Sequence, residues 1–166
     1  MSRRSRAELE AAGIEAIRGW QTDQDIFDDA AATYAGLNRT DFRCLDIIDR
    51  EGPLTAGELA AASRLTSGAI TAVLDRLEAR GFVHRIRDAA DRRRVVVQAA
   101  PNLMEQGAAI YGPIAVEGLR QIQAYSDDEL ALIVEFMERG REMLKEHTTR
   151  VLGLIEEQER EAAAGG

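Results

Sequence analysis

Apolar residues first recur at helical spacing near the start of the chain: Leu9, Ile14, Ile17 and Trp20, then Ile26, Phe27, Ala30, Ala31 and Tyr34. The polar run Gln21-Thr22-Asp23-Gln24 interrupts them, so this stretch reads as one long helix or as two coaxial pieces. Gly36 to Arg39 reads as a turn and Thr40 as a cap. Phe42, Leu45, Ile47 and Ile48 then form the buried side of a helix that stops at Gly52-Pro53. Thr55 and Glu58 make a T-x-x-E capping box, which predicts a short helix with Leu59 and Ala60 as its small apolar face. After the connection Ala62-Ser63-Arg64-Leu65, Thr66 or Ser67 can cap a further helix. Its Ile70, Val73, Leu74 and Leu77 fall on one stripe at i, i+3, i+4 and i+7. Gly81 follows Arg80, where a helix end favours a left-handed residue.

Beyond Gly81 the period changes from helical to alternating. Phe82 to Arg87, a turn over Asp88 to Asp91, and Arg92 to Val97 predict a hairpin with arginines at its tip. Asn102 to Tyr125 returns to helical spacing, with Gly112-Pro113 predicting a kink near Ala109 to Gly112. Ser126 to Glu129 is a second capping box and opens the last helix. There Leu130, Met137, Leu144 and Val151 recur every seven residues, with Val134 and Ile155 on the neighbouring line. The tail from Glu156 to Gly166 is acidic, then Ala/Gly-rich, and is expected to fray.

Two helices joined by a short turn, followed by a hairpin, have the geometry of a DNA reader. With Ile70 to Leu77 buried, Ser67, Gly68, Thr71, Ala72, Asp75 and Arg76 face outward, and short side chains let a helix backbone sink into a major groove. Thr71 and Arg76 can then meet base edges or phosphates, and arginines on the hairpin suit a narrow, electronegative minor groove. Composition supports this. The chain has 166 residues, 45% of them apolar and only 5% aromatic, which suits one compact, mostly helical domain with extensions. A net charge of −8 argues against a nucleic-acid binder until its distribution is read. Pro53 to Gln98 holds eight arginines against five acids, hence +3, and leaves −11 for the remainder. A basic face on an acidic body is compatible with DNA and suppresses unspecific adhesion.

Helix-turn-helix, Leu74-Asp75-Arg76-Leu77-Glu78-Ala79-Arg80-Gly81-Phe82-Val83, then Arg87-Asp88-Ala89-Ala90-Asp91-Arg92-Arg93-Arg94 and a valine strand resemble the winged helix domain of the MarR family of transcriptional regulators. The resemblance spans about Phe27 to Ile155. It places the family's D-x-R wing motif on Asp91 and Arg93, implying that Arg93 enters the minor groove and Asp91 orients it. The chain departs from the family at the wing's exit, where Gln98-Ala99-Ala100-Pro101 replaces the usual leucine-threonine, and Pro101 fits a first helical turn. The resemblance also implies terminal helices that dimerise, a pseudo-palindromic operator, and a cleft for aromatic or phenolic anions where those helices meet the winged domain. Trp20, Phe27, Tyr34, Phe42, Arg43 and Tyr111 are the candidates for that cleft. The aromatics fill the core equally well, and Arg43 can equally pair with an acid on its own helix.

The expected fold is therefore mainly α with a small antiparallel β-wing: a winged helix-turn-helix plus a helical dimerisation domain from both termini. The expected organisation is 1–36 as an N-terminal dimerisation region, 37–100 as the winged domain, 101–156 as C-terminal dimerisation helices and 157–166 as a disordered tail. Arg64, Thr66, Ser67, Gly68, Thr71, Arg76, Arg85, Asp91, Arg92, Arg93 and Arg94 are the expected DNA contacts, on double-stranded DNA bound by a homodimer acting as a ligand-responsive repressor. The arginine-rich arm Met1 to Arg6 reads as a disordered terminus, or else reaches phosphates.

Other chemistry is thin. One cysteine excludes an intramolecular disulfide, no signal-peptide pattern or 18-residue apolar run occurs, and the chain reads as cytoplasmic. His84 reads as an exposed wing residue or a phosphate contact, and no metal-ligand spacing, Gly-rich phosphate loop or catalytic constellation emerges, so neither a cofactor nor an enzyme is expected. Two alternatives stand beside the main reading: a winged-helix module for a protein partner, motivated by the acidic total, and a redox sensor built on Cys44.

Overall fold

The computed structural model describes residues 4–88 and 91–164. Met1 to Arg3 of the basic arm, Ala89 and Ala90 of the wing turn, and the last two glycines of the tail lie outside the described residues. The chain divides into two compact units, residues 1–110 and 111–166.

In the first unit, α1 (Arg6–Tyr34) is one unbroken helix, opened by a capping box between Ser5 and Glu8. The polar run inside it contains no glycine or proline, and the Thr22 hydroxyl donates to the Arg18 carbonyl at 3.1 Å, so the exposed face changes character without a break. The helix closes with paired bonds from Leu37 N–H to the Ala32 carbonyl (2.8 Å) and from Gly36 N–H to that of Thr33 (3.0 Å), with Gly36 at φ 66°. The cap of α2 (Arg39–Glu51) is Asn38 rather than Thr40: Asn38 Oδ1 accepts the Asp41 N–H at 2.8 Å, and Thr40 already lies in the first turn.

The capping box Thr55/Glu58 opens α3 (Ala56–Ser63), Arg64 turns the chain in a left-handed conformation at φ 58°, and Thr66 caps α4 (Ser67–Ala79). At the end of α4, Phe82 N–H bonds the Leu77 carbonyl and Gly81 N–H that of Glu78, with Gly81 at φ 74°. Phe82 therefore belongs to the helix ending, and β1 is Val83–Arg87. The partner strand β2 is Val95–Ala99, antiparallel, with Val83 opposite Ala99 and Arg87 opposite Val95. It starts three residues later than the alternation suggests, because Arg92 to Arg94 are drawn into the turn. Arg94 N–H donates to the Asp91 carbonyl at 2.9 Å, and Asp88 N–H to the Arg94 carbonyl at 3.0 Å. Leu54 and Val97 exchange backbone hydrogen bonds (3.0 and 2.7 Å), tying the segment before α3 to the wing.

One apolar core holds these pieces together. Cys44, Leu45 and Ile48 of α2, Leu59 of α3, Ile70, Val73, Leu74 and Leu77 of α4, and Val83 and Val97 of the wing all belong to it. The stripe on α4 is thus the keel on which the helix-turn-helix sits.

The helix α5 (Leu103–Ile122) runs continuously with Pro113 inside it. Pro101 lies before the helix rather than in its first turn, since Asn102 supplies the carbonyl that accepts the Gln106 N–H. In α6 (Asp127–Ala164), Ser126 and Glu129 form the expected capping box. The helix continues to Ala164 instead of stopping near Glu156, because Glu157 to Ala164 is built from strong helix formers without glycine or proline. No residue of α5 or α6 is buried within the single chain, and the stripe residues Met137, Leu144 and Val151 stay exposed.

Candidate nucleic-acid interface

The leading end of α4 presents little bulk. Ser67, Gly68, Thr71 and Ala72 are exposed, and a side chain added at Gly68 would meet nothing within 4 Å, so this backbone stands open to an approaching surface. Thr66 is committed as the cap, accepting the Ala69 N–H at 3.3 Å. The Thr71 hydroxyl donates to the Ser67 carbonyl at 3.0 Å, which leaves its lone pairs and methyl group outward. Such a threonine suits an amino-group donor or a thymine methyl at a groove edge.

The wing turn is braced by Asp91, whose Oδ1 accepts the Arg93 backbone N–H at 3.0 Å and whose own N–H reaches Asp88 Oδ1 at 3.4 Å. The aspartate thus fixes Arg93 through the backbone rather than through the guanidinium. The side chains of Arg92 and Arg93 are exposed and have no acidic partner among the described residues, as is also true of Arg64.

Three expected DNA arginines are differently employed. Arg76 donates from Nε (2.8 Å) and Nη2 (2.6 Å) to both oxygens of the buried Asp41. Arg85 of β1 is held by Asp75 (2.7 Å) and by Glu78, both on α4. Arg94 bonds Glu58 on α3 at 2.9 Å, with Asp88 at 3.9 Å. Each is a strap between elements before it can be a contact: α4 to α2, β1 to α4, and the wing turn to α3. The Asp41 hydrogen bond raises the pKa of Arg76, that of Asp75 raises that of Arg85, and the Thr55 N–H lowers that of Glu58. Arg80 makes a fourth strap, donating to the Ala35 and Gly36 carbonyls at the end of α1. The straps of Arg76 and Arg80 escaped sequence reasoning because one buried carboxylate and two terminal carbonyls look like ordinary surface and turn positions. The Asn38-x-x-Asp41 spacing at the start of α2 was the only local hint of Asp41.

His84 is half-buried rather than exposed, its Nε2 lying 2.8 Å from Gln98 Nε2 directly across the sheet. Gln98, the residue that departs from the family pattern, thus has a cross-strand partner.

The six candidates for an effector cleft are scattered in character. Trp20 and Tyr34 are 68% and 70% exposed on α1, and Phe27 is half-buried there. Phe42 packs against the winged core. Arg43 Nη2 donates to the Ser63 carbonyl at 2.9 Å, closing the end of α3 rather than pairing with an acid on its own helix. Tyr111 belongs to the second unit. A cleft of about 450 Å³ lies instead at the base of the wing, among Leu54, Glu58, Ile86, Asp88, Arg94 and Val96.

Cys44 is fully buried, and desolvation raises its thiol pKa above the usual value. The thiolate is the reactive form, so a thiol reagent such as a maleimide is expected to label the native protein far more slowly than the protein in denaturant. Equal labelling rates in the two states would restore the redox reading.

Comparison with known proteins agrees with this geometry. The MarR family model matches residues 37–95, the stretch from the start of the core to the first residue of β2. The HTH-type transcriptional regulator YcgE of Bacillus subtilis is 35% identical over 150 residues, covering 90% of this chain and 97% of that protein. Among solved structures, a MarR family protein from Bacillus stearothermophilus aligns with a TM-score of 0.60 at 18% identity, covering 86% of this chain and 99% of that one. A mutant form of MepR from S. aureus aligns at 0.62 and 16% identity, covering 78% and 95%. With the winged helix-turn-helix in place and a relative matched along nearly its whole length, the chain belongs to the MarR family of DNA-binding transcriptional regulators, which are not enzymes.

Proposed function

We propose that the chain works as a homodimeric repressor that binds a pseudo-palindromic operator and is released by a small aromatic or phenolic effector. The observation that carries the DNA-binding geometry is the pairing of an open leading edge on α4 (Ser67, Gly68, Thr71) with two uncommitted wing arginines, Arg92 and Arg93. The edge enters the major groove and the arginines the adjoining minor groove, while Arg64 meets the backbone. The exposed apolar faces of α1, α5 and α6 support the homodimer, because a single chain leaves them in water. A two-fold axis then sets the two copies of α4 about one DNA turn, roughly 34 Å, apart. An effector acts by binding more tightly to an arrangement whose helix spacing misfits DNA. No helix among the described residues is long and apolar enough to cross a membrane.

Selection of genomic fragments by the purified protein, followed by a salt titration on the recovered duplex, tests this reading. The expected result is an inverted repeat, with log affinity falling steeply against log salt. Arg93→Ala is expected to cost about 1–3 kcal/mol of affinity for that duplex. Weak, salt-insensitive binding to every duplex would instead favour a protein partner for the winged module.

A further inference from the structure

Asp41 is one of two buried polar residues among the described residues, 2% exposed, and both oxygens of its carboxylate are hydrogen-bonded. Oδ2 accepts Asn38 Nδ2 (2.9 Å) and Arg76 Nε (2.8 Å), while Oδ1 accepts Arg76 Nη2 (2.6 Å). A buried carboxylate is costly unless it is satisfied in this way, so the site is built around the pair. Arg76 is not buried with it: its side chain is 49% exposed. Gly68, Ala72 and Arg76 are spaced four apart, one line on the open face of α4, and the first two carry almost no side chain. Arg76 therefore stands about 12 Å along the axis from Gly68, about the width of a major groove. The contact with Asp41 is side-on through Nε and Nη2, which leaves Nη1 without a hydrogen-bond partner among the described residues.

We infer that Asp41 is a positioning residue for DNA binding: from beneath α4 it holds Arg76 in the one orientation that turns Nη1 toward a backbone phosphate. The inference deepens the DNA-binding reading and rests on it. A free arginine would lose side-chain entropy on meeting the phosphate, whereas this one has lost it on folding. A lysine keeps the charge and loses the fork, so charge alone does not replace Arg76.

The test compares full-length wild type, Asp41→Asn, Arg76→Gln, Arg76→Lys and the double variant Asp41→Asn/Arg76→Gln. The probes are the duplex recovered by genomic selection and a mixed-sequence duplex, each titrated across salt, with thermal melts to verify folding. Asp41→Asn and Arg76→Gln are each expected to weaken binding about tenfold, the loss of one charge-assisted contact. Arg76→Gln is expected to lower the salt slope by about one unit. Arg76→Lys is expected to leave most of the affinity loss in place. The double variant should bind no more weakly than Arg76→Gln alone, because Asp41 acts through Arg76. Wild-type binding by Asp41→Asn, or losses that multiply in the double variant, would overturn the inference. Should Asp41→Asn fail to fold, wild-type binding by Arg76→Lys overturns it instead. A wild-type protein that binds neither duplex in a salt-dependent way removes the DNA reading itself, a result distinct from both.

Discussion

Replacing Met137 and Leu144 of α6 with glutamate is expected to convert the proposed homodimer into monomers, read as a halving of mass in sedimentation or light scattering. Both side chains are 52% exposed in the single chain and lie one heptad apart on the stripe that ends at Val151. A face of this kind loses roughly 1.5–3 kcal/mol for each large apolar side chain returned to water. Only the half of each side chain that the single chain leaves exposed is at stake, and each substitution counts twice in a two-fold interface. The pair therefore removes roughly 3 kcal/mol or more, about two orders of magnitude in dissociation constant. The new carboxylates would also face their symmetry mates across an apolar seam. The winged core lies in the other unit and contains neither residue, so its thermal transition should persist while affinity for a two-half-site duplex collapses toward that of one half-site. A variant that remains dimeric would show that this stripe is not the seam.

Leu77→Ala carries the second large effect. Leu77 has no exposed surface and sits in the cluster that joins α2, α3, α4 and the wing. Its truncation removes buried methyl groups and leaves a cavity where helices and wing meet, at a cost of about 2–5 kcal/mol. For a chain of this size about 3 kcal/mol corresponds to roughly 6–12 °C in melting temperature. The Leu77 carbonyl also accepts the Phe82 N–H that ends α4, so a shift of that turn would loosen the entry into β1 as well. DNA affinity measured well below the melting transition should fall less than stability, since Leu77 touches no solvent. A loss of stability under 1 kcal/mol would mean that the core does not depend on this stripe.

Much of the fold was legible because the signals are local. The T-x-x-E spacing at Thr55 and Ser126, the stripe from Ile70 to Leu77, Gly81 after Arg80, and the change of period beyond it each depend on residues within one or two turns. Errors arose where two local signals competed. Thr40 lost the cap to Asn38, and Arg92 to Arg94 went to the turn because Asp91 offered both a carbonyl and a carboxylate to the backbone there. The acidic, Ala/Gly-rich tail composition points to an early end for α6, whereas the helix propensity of Glu157 to Ala164 carries it to Ala164.

The interface divides along the same line. That Ser67, Gly68 and Thr71 face outward follows from the stripe opposite them. Which arginines are free does not, since eight arginines between Pro53 and Gln98 look alike in sequence. Their fates depend on partners far along the chain: Asp41 for Arg76, Glu58 for Arg94, and the end of α1 for Arg80. The sequence by itself determined the elements, the faces they bury and the placing of positive charge on the winged segment, because capping and periodicity are decided by near neighbours. Only the tertiary structure decided which cations are straps and which remain available to a phosphate. Ion pairing in a fold is settled by which side chains packing brings within hydrogen-bond reach, and chain distance carries no record of that.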